Sequence, residues 1–120
     1  FHTLYAAAAE PRIRVALTSC FFNDRRQYGR RDWGYLDAAN TFFDVEVAGL
    51  VCPRPLYVEV AQNDTLLNVL HARLHAPGVQ ALYAELGIPN RFVYHEHPGG
   101  HEFDPADPGL DFVAAQLGLS

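Results

Sequence analysis

Three short apolar runs, each followed by a stretch able to form a helix, limit the folds open to this chain more than any other feature. The runs are "IRVALTSCF" at 13–21, "PRPLYVEVAQND" at 53–64 and "RFVYHEH" at 91–97. Their length and their β-branched and aromatic content read as buried strands. Pro53 and Pro55 stand at the entry of the second run, where proline is tolerated. Residues 3–10, "TLYAAAAE", favour helix through their alanines, and Pro11 ends that helix. Residues 41–51 predict a short helix with Thr41 as its N-cap. Val79, Leu82, Tyr83 and Leu86 recur at the spacing of one helix face over 79–86, with Gly87 as the C-cap. Leu110, Val113, Ala114 and Leu117 repeat that spacing in a last helix. Residues 23–40 have mixed charge and no period, and read as a long loop or irregular cap.

Strands alternating with helices predict a parallel sheet with crossover helices, so the expected fold class is α/β. The chain has 120 residues, at most one ordinary domain. Three strands make a small parallel sheet, and the first helix begins without an N-cap of its own. Residues 1–120 are therefore expected to be a partial domain whose earlier strands lie upstream.

Composition removes several classes of function. With 49% apolar and 19% charged residues the chain is globular in character. The net charge is −5, and its densest basic run, Arg25, Arg26, Arg30 and Arg31, is diluted by Asp24 and Asp32, so no nucleic-acid partner is expected. No apolar run approaches the ~18 residues of a membrane span, and no membrane partner is expected. Cys20 and Cys52 are too few for a disulfide framework and match no metal spacing.

In open α/β sheets, sites form beyond the carboxyl ends of the strands. Ser19, Cys20 and Asn23 follow the first run, Asn63 and Asp64 the second, and His97, Gly99, Gly100 and His101 the third. An Asp and a His at neighbouring strand ends are the acid and base of a Ser-His-Asp triad. The two glycines in "HPGGHEF" would let the loop turn and present His101 over the sheet. His95 and His97 face the same way along their strand, and with His101 they raise a metal set that no Asp or Cys completes by spacing. His97 more simply shapes the histidine loop. Trp33, Tyr35, Phe42 and Phe43 are candidates for a pocket lining or for plain packing.

"PRPLYVEVAQNDTL" is similar to the strand and acid turn of α/β-hydrolases, and "FVYHEHPGGHEF" to their last strand and histidine loop. "TLYAAAAEPRIRVALTSCFFN" resembles the helix and strand after their nucleophile elbow, in the acetyl xylan esterase and dienelactone hydrolase-like branch. The resemblance implies Asp64 as triad acid and His101 as triad base, and hydrolysis of a carboxylic ester through an acyl-enzyme. It implies a small-molecule or carbohydrate ester as substrate, no cofactor and no metal. The nucleophile motif G-x-S-x-G does not occur in the chain. The expectation is the C-terminal portion of a serine hydrolase, whose partner is the N-terminal half of the same domain and which is inactive by itself. The alternatives are a portion of a prolyl oligopeptidase-type peptidase and a non-catalytic binding or interaction domain.

Overall fold

The computed structural model describes residues 1–27 and 37–119. The elements run α1 (His2–Ala9), β1 (Ala16–Ser19), α2 (Ala38–Thr41), α3 (Asp44–Val51), β2 (Leu56–Ala61), α4 (Val69–Glu85), β3 (Phe92–His97) and α5 (Pro108–Leu117). The three strands form one parallel sheet in the order β1-β2-β3, with Ala16 opposite Leu56 and Leu56 opposite Phe92. The expected α/β class is the one observed.

The sheet is covered on both faces, as a parallel sheet requires. Side chains alternate along a strand, so Leu56, Val58 and Val60 point one way and Tyr57 and Glu59 the other. The first set joins Leu4 and Ala7 of α1, Val47, Ala48 and Val51 of α3, and Ala72, Ala76, Val79 and Tyr83 of α4 in the main core. On the opposite face α5 packs against β1 and β2. There Phe112 meets the ring of Tyr57 at 5.4 Å between centroids. A Cβ on Gly109 would collide with the Leu17 side chain and crowd the Tyr57 ring at 3.2 Å. The close approach therefore depends on a residue without a side chain.

Several boundaries differ from expectation for identifiable reasons. Thr41 does not cap the helix over 44–51; it closes the separate turn α2, and its hydroxyl bonds the carbonyl of Asp37 at 2.8 Å. The helix starts at Asp44 instead, where the Glu46 side chain reaches back to the N–H of Phe43 at 2.7 Å. The helix expected at 79–86 begins ten residues earlier, at Val69, capped by the Asn68 side chain on the Leu70 N–H at 2.9 Å. Pro77 stands inside it on an exposed face and leaves the Arg73 carbonyl without its helical donor. Gly87 follows this helix at φ 72, and its neighbour Ile88 bonds back to the Tyr83 carbonyl at 3.0 Å, which closes the helix as expected. In α5 Leu110 points outward and is 59% exposed, while Gly109 is the residue buried against the sheet.

Candidate active site

The carboxyl end of the sheet carries the chemistry. After β2 the chain turns at Asn63 and Asp64; after β3 it turns through 98–103. These two loops are stitched together by backbone bonds that extend the ladder past the strands. Gln62 N–H reaches the His97 carbonyl at 2.8 Å, and Asn63 N–H reaches the Gly99 carbonyl at 3.1 Å. The Asn63 amide also donates to the Pro98 carbonyl.

On this frame the two sequence-predicted residues meet. His101 Nδ1 lies 2.8 Å from Asp64 Oδ2. The other carboxylate oxygen, Oδ1, accepts the N–H groups of Leu66 at 2.7 Å and Leu67 at 3.1 Å. Asp64 is thus both the organiser of its own turn and the partner of the histidine. Burial pushes its carboxyl up, but the His101 contact and the two amides outweigh that, and the net direction is downward. An ionised carboxylate is acceptor-only, so Nδ1 carries the proton and Nε2 is the basic nitrogen of His101. The Asp64 side chain is buried, at 1% exposure, and the His101 side chain is 38% exposed, so the ring forms the outer surface of the pair.

His97 holds the loop that carries His101. Its Nδ1 accepts the Gly99 N–H at 3.2 Å, so its Nε2 bears the proton and donates to the Glu102 carbonyl at 3.1 Å. One buried imidazole therefore ties down residues on both sides of His101. Beneath it Glu59 accepts from the Ser19 hydroxyl at 2.8 Å and from the Asp104 N–H at 3.0 Å. Sequence reasoning placed Ser19 near the site but did not single out Glu59. A carboxylate at the centre of an apolar run was the signal, since such a group is buried only with partners.

The histidine set considered for metal does not assemble. His95 contacts Asp104 at 2.6 Å, and His97 is occupied by the loop. Among the described residues the potential ligand atoms that do converge belong to Cys20, Asp64 and His101, all within 4.8 Å of one another. Cys20 holds a left-handed backbone, φ 53, at the end of β1. Both cysteines are free thiols; Cys20 is buried and Cys52 half-buried. Asn23 is buried beside Asp44, which accepts its N–H at 2.8 Å, and takes no part in the pair. Of the aromatic candidates, Phe42 packs on Tyr5 and Phe43 on His75, while Trp33 and Tyr35 lie outside the described residues.

The chain brings an acid beyond the middle strand of a parallel sheet beside a histidine beyond the next. No family model matches the chain, and no curated protein matches its sequence. A carbohydrate esterase family 15 glucuronoyl esterase from Caldicellulosiruptor kristjansonii superposes with a TM-score of 0.76 at 19% identity, over 98% of this chain and 41% of that one. A promiscuous esterase of the same family from a marine bacterial metagenome gives 0.70 at 18% identity, over 92% and 37%. The glucuronoyl esterase from Solibacter usitatus gives 0.69 at 18% identity, over 94% and 38%. The chain thus spans about two fifths of the length of these structures. At such identities the likeness establishes the fold: over this span the chain has the fold of α/β-hydrolase esterases.

Proposed function

We propose that this chain is the C-terminal portion of a serine hydrolase that cleaves carboxylic esters, with Asp64 as triad acid and His101 as triad base. The observation that carries the reading is the 2.8 Å contact between His101 Nδ1 and Asp64 Oδ2 across neighbouring strand ends. The esterase fold of the structures it resembles supports the reaction class. In this reading a serine supplied by the polypeptide preceding Phe1 gives its proton to His101 Nε2 as it attacks the ester carbonyl. Asp64 holds the Nδ1–H tautomer and stabilises the imidazolium that forms. The same proton then passes to the departing alkoxide, and water repeats the cycle on the acyl-enzyme.

The substrate class is an ester attached to a carbohydrate. The sequence resemblance points to acetyl xylan esters, and the glucuronoyl esterases among the structural neighbours point to uronate esters. Both are carboxylic esters, and the acid–base pair serves either.

A base without a nucleophile and an oxyanion hole retains little catalytic means. The 120-residue chain by itself is therefore expected to hydrolyse aryl esters no faster than its Asp64→Ala, His101→Ala double variant. Turnover by the chain alone that His101→Ala abolishes would overturn the division of the triad and place the nucleophile at Ser19 or Cys20.

A further inference from the structure

We propose that Cys20, Asp64 and His101 form a binding site for a borderline-soft divalent cation of the zinc class, and that an ion held there withdraws His101 from acid–base work. The binding stands on the three side chains; the consequence for catalysis rests on the role proposed for His101.

The three residues are the ligand types that zinc prefers: a thiol, an imidazole and a carboxylate. They come from the ends of three adjacent strands, so the sheet fixes their relative positions. Cys20 N–H continues the ladder to the Glu59 carbonyl at 2.9 Å, and the left-handed φ of 53 at Cys20 is one that non-glycine side chains seldom adopt. Such outliers concentrate at functional sites. The potential ligand atoms lie within 4.8 Å of one another. Tetrahedral zinc, with bonds of about 2.0–2.3 Å, asks for separations of about 3.3–3.5 Å. The Cys20 sulfur must close toward the pair, and the 2.8 Å contact between His101 and Asp64 must open by about half an ångström.

The surroundings suit this role. Asp64 Oδ1 is already held by two backbone amides, which orients Oδ2 outward in the manner of the outer-shell bonds that steer metal ligands. The Cys20 sulfur lies 3.3 Å from the Glu102 carbonyl, 4.0 Å from the Gly100 carbonyl and 3.6 Å from the Ser19 hydroxyl, all weak contacts for a thiol. A cavity of about 10 Å³ adjoins Cys20 and Asp64, lined also by Phe22 and Leu67. An ordinary thiol carries its proton near neutral pH. On binding the S–H bond breaks, the sulfur lone pair goes to the metal and the proton leaves to solvent, while the imidazole proton moves from Nδ1 to Nε2 so that Nδ1 ligates beside Asp64 Oδ2. Three protein ligands leave one position for water.

Cobalt(II) reports a thiolate ligand by its charge-transfer absorption. Titration of the chain with cobalt(II) is expected to give this band saturating at one equivalent, with proton release, and added zinc(II) should remove it. Cys20→Ser should abolish the band, and Asp64→Asn and His101→Ala should each weaken binding at least tenfold. Cys52→Ser should leave it intact, and circular dichroism confirms that each variant folds. Absence of the band at saturating cobalt, or a band unchanged in Asp64→Asn and His101→Ala, would overturn the site. In the ester-hydrolysing protein, zinc(II) should inhibit, and Cys20→Ser should relieve the inhibition at least tenfold. A protein that binds cobalt through Cys20 yet hydrolyses no ester would support the site and contradict the hydrolase reading.

Discussion

Gly99 donates its backbone N–H to His97 Nδ1 at 3.2 Å, and a Cβ placed on Gly99 would lie 2.8 Å from that same nitrogen. The histidine loop therefore closes over a buried imidazole only where the residue at 99 has no side chain. Its two glycines differ in this respect: at Gly100 a Cβ would meet nothing within 4 Å. Gly99→Ala is expected to push the loop off His97 and pull His101 away from Asp64, at a cost of about 1–3 kcal/mol. Gly100→Ala should be milder. Proton NMR of the His101 Nδ1–H resonance, with thermal unfolding alongside, checks both. Equal behaviour of the two variants would contradict the clamp.

Acid should loosen the joint between α4 and β3. Glu96 takes bidentate bonds from Arg73 at 2.8 and 2.7 Å, and others from Tyr94 at 2.7 Å and Gln62 at 3.1 Å. The Arg73 guanidinium first, and the Tyr94 and Gln62 bonds with it, outweigh burial and hold its carboxyl down to about 2, from an ordinary 4.5. A depressed native value means that the unfolded chain takes up the proton first as pH falls. The stability this group contributes is therefore complete above about pH 4.5 and is lost as pH falls toward 2. Denaturant midpoints measured across that window should fall more steeply for the native protein than for Arg73→Ala, and parallel curves would contradict the assignment.

How much of this could be read from the chain depends on the kind of signal each element carries. The three strands were legible because buried parallel strands are continuous apolar runs. That Asp64 and His101 would lie together was legible because they follow neighbouring strands, and the contact between them is observed. The first half of α4 was not legible. "HAPGVQ" carries Pro77 and Gly78, which punctuate sequence, and nothing local shows that both stand on an exposed face. Asn68, the true cap, was a signal that the proline obscured. Leu110 was assigned to the packed side by spacing alone; the sheet instead accepts Gly109, because contact with Leu17 and Tyr57 leaves no room for more. Cys20 was legible as a residue of the first strand end, but no spacing rule gave the proximity of its sulfur to Asp64 and His101.

The start of the 23–40 segment is anchored by a buried ion pair. Arg25 Nε lies 3.1 Å from Asp44 Oδ1, with side chains 2% and 0% exposed. Asp44 Oδ2 also accepts the Asn23 N–H at 2.8 Å. Asp44→Ala takes the carboxylate from a buried guanidinium and an acceptor from a buried amide, and should cost about 3–5 kcal/mol. Chemical denaturation measures it; a loss under 1 kcal/mol would show that the pair is not buried in solution.

The central claim is that Asp64 and His101 are the acid and base of an ester hydrolase. It is tested most directly by kcat for ester hydrolysis in the polypeptide that joins this chain to its nucleophile. Asp64→Asn is expected to lower kcat by about four orders of magnitude, because the imidazole is then held in the wrong tautomer. His101→Ala should lower it by about six, with KM little changed. A His101→Ala variant that keeps kcat within tenfold of the unsubstituted protein would contradict the account.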